Sequence, residues 1–383
     1  MKKKTLLLPF ILLIVSQIYG TDLSLHGSLQ NYIGVLPSQE FAYSIMQNTF
    51  DLSIDYYGDN SAVHLSPSLT YDLDTDLSVG LTEAYIDIYS QDMDVRIGEQ
   101  QIIYGKADGV FITDVVSPKN LTEFILPDFD EIRLGVTALK VDYYNEEATY
   151  EVVWIPLFTP NTMPEADSIW NVHAIDFSDS TKDIDTSLEN SEIFGKYSRY
   201  SPTIDFDIMG GYMWDDEPTI TTDGDFTHHR MGIIGGSFST TVHNYVIRGE
   251  GAWNTGKYVN ATLKMDYLHY MGGIDFTLNE WNMSAQFIEK VYLNYEDNNA
   301  VDQWQNTITL MAHKEFYDNT LLFEVFTYVE FDDLNALIRP KVTYSLSDDI
   351  KVMAGCNIFL GDSGTFGQFN DNSMIYTKIK LSF

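Results

Sequence analysis

Hydrophobic and polar residues alternate one by one along most of this chain. Near the end of the sequence, Ile375, Ile379 and Leu381 fall on one side of an extended chain, and Lys378 and Lys380 fall on the other. A period of two is typical of a β-strand, whose successive side chains point to opposite faces. Helical periodicity is nearly absent, so the pattern predicts an all-β protein.

The alternating segments predict about 18 strands, and a count of 16 would also fit the pattern. The predicted strands cover roughly 22–34, 47–58, 61–73, 79–91, 93–104, 133–144, 147–157, 191–201, 203–214, 227–241, 243–254, 261–277, 280–295, 303–317, 319–332, 335–347, 349–361 and 373–383.

The connections between these strands alternate in length. Those after even-numbered strands are very short, as at Asp59-Asn60 and Asn279-Glu280. Those after odd-numbered strands are often long, and the long ones cover 35–46, 105–132, 158–190, 215–226 and 362–372. Short turns at one end and long loops at the other are typical of a transmembrane antiparallel β-barrel, with short periplasmic turns and long external loops.

A soluble β-sandwich or propeller would also supply alternating strands, but it would show no such parity in loop length. Inside a bilayer every backbone N–H and C=O must be paired, so a spanning sheet must close on itself. The last strand would then pair with the first. The terminal aromatic Phe383 resembles the C-terminal signature of bacterial outer-membrane proteins, which the barrel-assembly machinery reads.

The N-terminus has the layout of a secretory signal peptide. Lysines at 2–4 precede an apolar run from Leu6 to Val15, and a short polar stretch ends at Gly20. The apolar run is too short for a spanning helix, which needs about 20 apolar residues. We therefore expect residues 1–20 to be a signal peptide and 21–383 to be a single barrel in the outer membrane of a diderm bacterium, reached through the periplasm.

Composition excludes several classes of function. The formal net charge of −34 argues against nucleic-acid binding, which needs a basic surface. Neither a cofactor nor a metal is predicted, because His228 and His229 are neighbours on a strand and face opposite sides. Gly-x-Ser-x-Gly is absent from the sequence, and no enzyme activity is predicted. The single cysteine, Cys356, cannot form an internal disulfide.

Segment 105–132 breaks the alternation and is unusually apolar for an external loop. It carries Val110, Phe111, Ile112 and Leu126 among turn-forming glycines and prolines. Such residues need something to pack against, so we expect the segment to fold into the barrel as a constriction. The alternative is a loop packed over the rim or against a partner barrel.

The region 98–164 resembles a family of proteobacterial outer-membrane barrels of unknown function, and more distantly alginate-export-type porins. That family carries a Gly-Arg-Gln…Trp-Gly-Glu-Ser/Asp…Asn-Pro-x-Asp pattern. The residues that carry the resemblance are Gly98, Gln100, Tyr104, Gly105, Asp108, Asp114, Ser117, Pro118 and Arg133, followed by the run Val152–Pro156 with Pro160 and Pro164. The resemblance implies an 18-stranded outer-membrane porin, and departures such as Glu99 for a basic residue leave its solute open.

Alternation also places many charges inside the barrel, because a charge facing lipid costs about 2–4 kcal/mol for Arg or Lys at the midplane. These charges either pair with one another and solvate the lumen, or form an electrostatic filter. The predicted constriction and pore-lining residues are Asp108, Asp114, Lys119, Glu123, Asp128, Asp130, Glu131 and Arg133 in the loop and Glu83, Asp87, Arg96, Lys140, Arg248, Glu250, Arg339, Lys341 and Lys378 on strands.

These features predict a porin for passive diffusion of small hydrophilic solutes, with a preference for cations because the chain is acidic. Outer-membrane lipid would surround it, and a homo-oligomer is compatible with the sequence. One alternative is a surface adhesin or receptor that uses the acidic loops 158–190 and 215–226. A barrel hydrolase is a weaker alternative.

Overall fold

The last strand of the chain pairs with the first and closes the sheet into a barrel. The computed structural model describes residues 23–72, 76–129, 131–182, 184–296 and 301–383. In this part of the chain, 18 antiparallel strands each pair with the next along the sequence, and the pairing of Ile33 with Thr377 belongs to the closing seam. The predicted all-β barrel of about 18 strands is therefore confirmed. The expected signal peptide 1–20 and Asp130 lie outside the described residues.

The strand bounds, in chain order, are as follows. They are β1 Leu23–Leu36, β2 Ala42–Tyr57, β3 Ser61–Asp72, β4 Asp76–Tyr89, β5 Met93–Gln100, β6 Val136–Tyr144, β7 Thr149–Ile155, β8 Glu192–Arg199, β9 Asp205–Trp214, β10 Thr219–Ile220, β11 Phe226–Thr227, β12 Arg230–Val242, β13 Tyr245–Tyr258, β14 Lys264–Leu278, β15 Trp281–Leu293, β16 Trp304–Phe316, β17 Leu321–Glu330, β18 Asn335–Ser345, β19 Ile350–Leu360 and β20 Met374–Ser382. Strands β10 and β11 form a separate small hairpin between β9 and β12.

Among the residues that the structure describes, helical structure is limited to short turns. These are Pro37–Gln39, Leu188–Asn190, Gly364–Gly367 and Asn370–Asn372. Within the residues described, no helix has the length and apolar character needed to cross a membrane.

The C-terminal residue seals the barrel. Backbone N–H groups of Gly27 and Phe383 donate to each other's carbonyl oxygens at 2.9 and 3.0 Å. The Phe383 ring stacks on Phe50, with centroids 6.2 Å apart. Along β20, Ile375 and Ile379 are exposed on the outside, whereas Lys378 is buried inside, as the alternation predicts.

One predicted loop is wrong. Strand β2 begins at Ala42, so the long loop expected at 35–46 shrinks to residues 37–41. The pairing of β1 with β2 shifts register between Gly34 and Val35, and this irregularity displaces the alternation that the prediction relied on. The other long connections, which include 156–191, 215–229 and 361–373, lie at the barrel end opposite the short turns.

The segment between β5 and β6 folds inward. Its atoms contact Glu83 on β4, Glu250 on β13, Tyr328 on β17 and Arg339 on β18. A segment that touches strands on all sides of a closed ring must lie in the enclosed space. The predicted inward-folded loop is therefore confirmed, and residues 101–135 are called the inward loop below.

Candidate functional site

The first half of the inward loop wraps around a buried carboxylate on the barrel wall. Glu250 accepts hydrogen bonds from the backbone N–H of Ala107 at 2.9 Å and of Thr113 at 2.8 Å. The Thr113 hydroxyl donates to it at 2.8 Å, and the backbone N–H of Lys106 is a fourth donor. Hydrogen bonds to a charged group contribute about 1.5–3 kcal/mol each, so this carboxylate is a strong anchor.

Two glycines allow the loop to approach the wall this closely. Gly105 and Gly109 have φ angles of +82° and +84°, a region that L side chains rarely adopt. A Cβ on Gly105 would lie 2.5 Å from Glu250 Oε1, and one on Gly109 would lie 2.6 Å from the Phe326 ring. The Tyr328 hydroxyl donates to the Gly109 carbonyl at 3.0 Å, which fixes the turn from the wall side.

Asp108 is held by Arg248 on β13 and Gln286 on β15. The Arg248 guanidinium contacts its carboxylate at 2.5 Å and that of Asp275 at 2.8 Å. The Gln286 side chain accepts from the backbone N–H of Asp108 and donates to its carbonyl, both at 3.0 Å. Backbone and side chain of this loop residue are therefore both fixed by the wall.

Three predicted site residues brace the loop internally. Asp114 contacts the Arg133 guanidinium at 2.7 Å, and the Lys119 ammonium donates to the Asp114 carbonyl at 2.7 Å. Asp114 is 3 % exposed and Lys119 is 7 % exposed. The structure thus places these two inside the packed loop, whereas Arg133 also borders open space on both sides of the loop.

The second half of the loop is tied to strands β18 and β20. Arg339 donates to the carbonyls of Ile125, at 3.3 Å, and Leu126. Two ion pairs span the gap between loop and wall, as Asp128 lies 3.6 Å from Lys341 and Glu131 lies 3.6 Å from Lys378.

Most of the other predicted lumen charges also have an opposite charge beside them. Arg96 contacts Asp87 at 2.7 Å, and Lys140 lies 3.3 Å from Asp142. Glu83 accepts from the backbone N–H of Gln101 at 2.9 Å. Among the residues described, no group of three or more His, Cys, Asp or Glu side chains is arranged as a metal site.

Sequence reasoning missed several wall residues that fix the loop. Glu151 on β7 accepts from the Tyr104 hydroxyl and lies between Lys140, at 3.3 Å, and Lys196, at 3.5 Å. Glu151 occupies an inward position of the same period-two alternation as the predicted residues, so the sequence pattern could have identified it. Gln286 and Tyr328 are uncharged, and a search for charged lumen residues could not find them.

Two cavities flank the inward loop. One, of about 560 Å³, lies between the loop and the inner wall of β1–β4 and β20, and we call it the neutral-wall cavity. The other, of about 340 Å³, lies against β16–β18 and has Phe326, Arg339 and Lys341 in its lining. The sequence-predicted residues Glu123, Glu131, Arg133 and Lys378 line the first cavity, and Asp108, Asp128, Arg133, Arg339 and Lys341 line the second.

Other long connections pack onto the inward loop instead of extending into solvent. Backbone atoms of Lys119 and Leu121 bond those of Thr162 at 2.9 and 2.8 Å. Trp170 packs on Phe359 and Phe369, with ring centroids 5.9 and 5.7 Å apart. Part of the acidic segment 158–190 therefore packs against the inward loop and the neighbouring connection. Other residues of the segment, such as Asp176 and Asp179, are exposed.

A closed 18-stranded barrel with these features has the fold of bacterial outer-membrane porins. The chain is similar to the solved structure of Pseudomonas aeruginosa OccK2 (OpdF) in complex with glucuronate, with 9% identity, coverage of 94% of this chain and 97% of that chain, and a TM-score of 0.61. Acinetobacter baumannii OccAB3 has 7% identity, covers 95% of this chain and 100% of its own, and has a TM-score of 0.61.

Pseudomonas aeruginosa OccK5 (OpdH) gives 10% identity, coverage of 94% and 97%, and a TM-score of 0.58. No protein-family model and no curated protein sequence matches the chain. The similarity to these structures confirms the predicted resemblance to outer-membrane barrel porins at the level of the fold.

Proposed function

We propose that this protein is an outer-membrane channel through which small hydrophilic solutes diffuse passively. The observation that carries the proposal is the neutral-wall cavity, a polar space enclosed by a barrel whose outer face is apolar. Space lined by hydrogen-bonding side chains holds water, whereas the outer face suits hydrocarbon. Outer-membrane lipid would surround the barrel, and the strand ending at Phe383 would be read by the assembly machinery.

We propose that residues 105–132 form the constriction of this channel. Support comes from the four donors on Glu250, the contacts of Arg248 with Asp108 and the hydrogen bonds from Arg339, which hold the segment to strands on different sides of the barrel. A loop held this firmly would keep the diameter of the channel constant at the constriction. No catalytic step belongs to this proposal.

For ions, we propose a preference for cations. The net charge is −34, and exposed acids such as Asp176, Asp179 and Asp185 lie on a long external connection. Acidic groups at a mouth raise the local concentration of cations. Reversal potentials in a KCl gradient test this preference, and a clear preference for anions would reject it.

Single-channel recording in planar bilayers tests the channel itself. Purified, folded protein should give discrete conductance steps, and folded protein that gives none would reject the channel and favour the adhesin. Deleting residues 110–130 should raise the conductance of each step, because the proposed constriction would be removed. A step of unchanged size would reject the constriction but leave the channel standing.

A further inference from the structure

The inner wall of the barrel is not chemically uniform. Around β5–β9 and β12–β15 it carries ion pairs and carboxylates that hold the inward loop, such as Glu151 with Lys196 and Arg248 with Asp275. On β1–β3 the lumen-facing residues that line the neutral-wall cavity are mostly short hydroxyls and amides. They include Gln30, Gln47, Thr49, Ser66, Ser68 and Thr70.

The acidic and basic side chains that line this cavity are equal in number, with Asp51, Glu123 and Glu131 against Arg133, Lys378 and Lys380. Lys378 lies 3.6 Å from Glu131, and Arg133 lies 2.7 Å from Asp114. Asp51 and Lys380 line the cavity together. Since acids and bases balance in number here, a charged solute would give up hydration without meeting a net charge of opposite sign, which is unfavourable.

The links that follow β1, β2, β3 and β4, the strands along the neutral-wall cavity, are all short. The links between β1 and β5 are residues 37–41, 58–60, 73–75 and 90–92. The long connections start after β5, β7, β9 and β19, and those after β5 and β7 are bonded to each other through Lys119 and Thr162. The short links of β1–β5 therefore add little external cover of their own above the neutral-wall cavity.

We infer that the preferred solute is an uncharged, polyhydroxylated molecule of sugar type, which moves along the hydroxyl and amide wall of β1–β3. This inference rests on the proposed channel function and specifies its substrate class. Hydroxyl and side-chain amide groups both donate and accept hydrogen bonds. The wall can therefore replace the hydrogen bonds that a polyol makes with water, whatever the orientation of the polyol. The cavity of about 560 Å³ gives such a molecule room to turn.

The test is block of the single-channel ion current by added solute. Glucose, gluconate and arginine serve as probes that are neutral, anionic and cationic. Glucose should reduce the current at the lowest concentration of the three. In the double variant S66A/S68A the half-blocking concentration of glucose should rise at least about five-fold, the value for the loss of one neutral hydrogen bond of about 1 kcal/mol, because two hydroxyls are removed.

The matched control is S239A/T241V on β12, which removes two hydroxyls that do not line the neutral-wall cavity. Its half-blocking concentration should stay at the wild-type value. If gluconate or arginine blocks at lower concentration than glucose, or if S66A/S68A behaves like the wild type, the solute class is wrong although the channel stands. If the folded wild type carries no ion current, the channel and the solute class both fail.

Discussion

Glu250 on the barrel wall accepts two hydrogen bonds from Thr113 of the inward loop, one from the backbone N–H and one from the hydroxyl, each at 2.8 Å. The two residues are far apart in sequence, and the barrel brings them together only when the loop is inside. Since the sole cysteine, Cys356, is free, the loop is held by such contacts and not by a disulfide.

Replacing Glu250 with glutamine should loosen the inward loop. One carboxylate oxygen would become an NH₂ group facing backbone N–H donors, either of Lys106 and Ala107 or of Thr113. Losing two charged hydrogen bonds should lower the free energy of unfolding by about 3 kcal/mol. Urea unfolding in lipid vesicles measures this loss, and single-channel records should show added current noise from loop motion.

The matched control is E146Q, which makes the same chemical change in an exposed short turn. It should leave both the unfolding free energy and the noise as in the wild type. Equal stability of E250Q and E146Q would show that the Glu250 carboxylate does not anchor the loop.

Gly109 is expected to tolerate alanine poorly. Its φ of +84° strains any L residue, and the new Cβ would lie 2.6 Å from the Phe326 ring. Gly224 has a similar φ of +89° with nothing within 4 Å, so G224A carries the same backbone strain without the clash. G109A should destabilise the barrel by about 2 kcal/mol more than G224A, as expected for overpacking.

Thermal unfolding followed by the gel-mobility shift of heated barrels compares the two alanine variants. G109A should also change the channel conductance, because its turn lies in the lumen, whereas G224A should not. If both variants lose the same stability, the close contact with Phe326 contributes nothing and only the backbone strain counts.

The barrel itself could be predicted from the sequence because strand alternation is a local signal. The outward Ile379 and the inward Lys378 fall where the period of two places them. The prediction failed at residues 35–46, where the register shift beside Gly34 interrupts the period. Inward folding of the loop was predictable as well, since Val110 and Ile112 need apolar surroundings.

The partners of each charge were not predictable. Asp128 and Lys341 are 3.6 Å apart, yet nothing in the sequence near either residue points to the other. Their contact depends on the depth to which the loop enters and on the strand that it meets. Glu151 follows the same alternation as the predicted lumen acids and was predictable from it, whereas Gln286 carries no charge that marks it as a wall residue.

The ion pair between Lys378 and Glu131 should control ion preference at the neutral-wall cavity. K378Q leaves Glu131 without its partner at 3.6 Å and adds net negative charge to the cavity. The reversal potential in a KCl gradient should then shift toward stronger cation preference. E131Q should shift it the opposite way, and K378Q/E131Q should return close to the wild type. Shifts of the same sign in both single variants would contradict this electrostatic account.

The ion preference should also depend on pH through Glu123, which lines the same cavity. Burial raises the pKa of Glu123 to about 7, with Lys378 opposing the rise and Asp72 and Glu131 adding to it. Below pH 7 the side chain is neutral, and above it the cavity gains one negative charge. Cation preference should therefore increase as pH rises through 7.

Reversal potentials across this range should show the increase in the wild type and a smaller change in E123Q. The difference between wild type and E123Q is the quantity to compare, because it isolates the contribution of Glu123. Identical curves for the two proteins would mean that Glu123 does not titrate in this range.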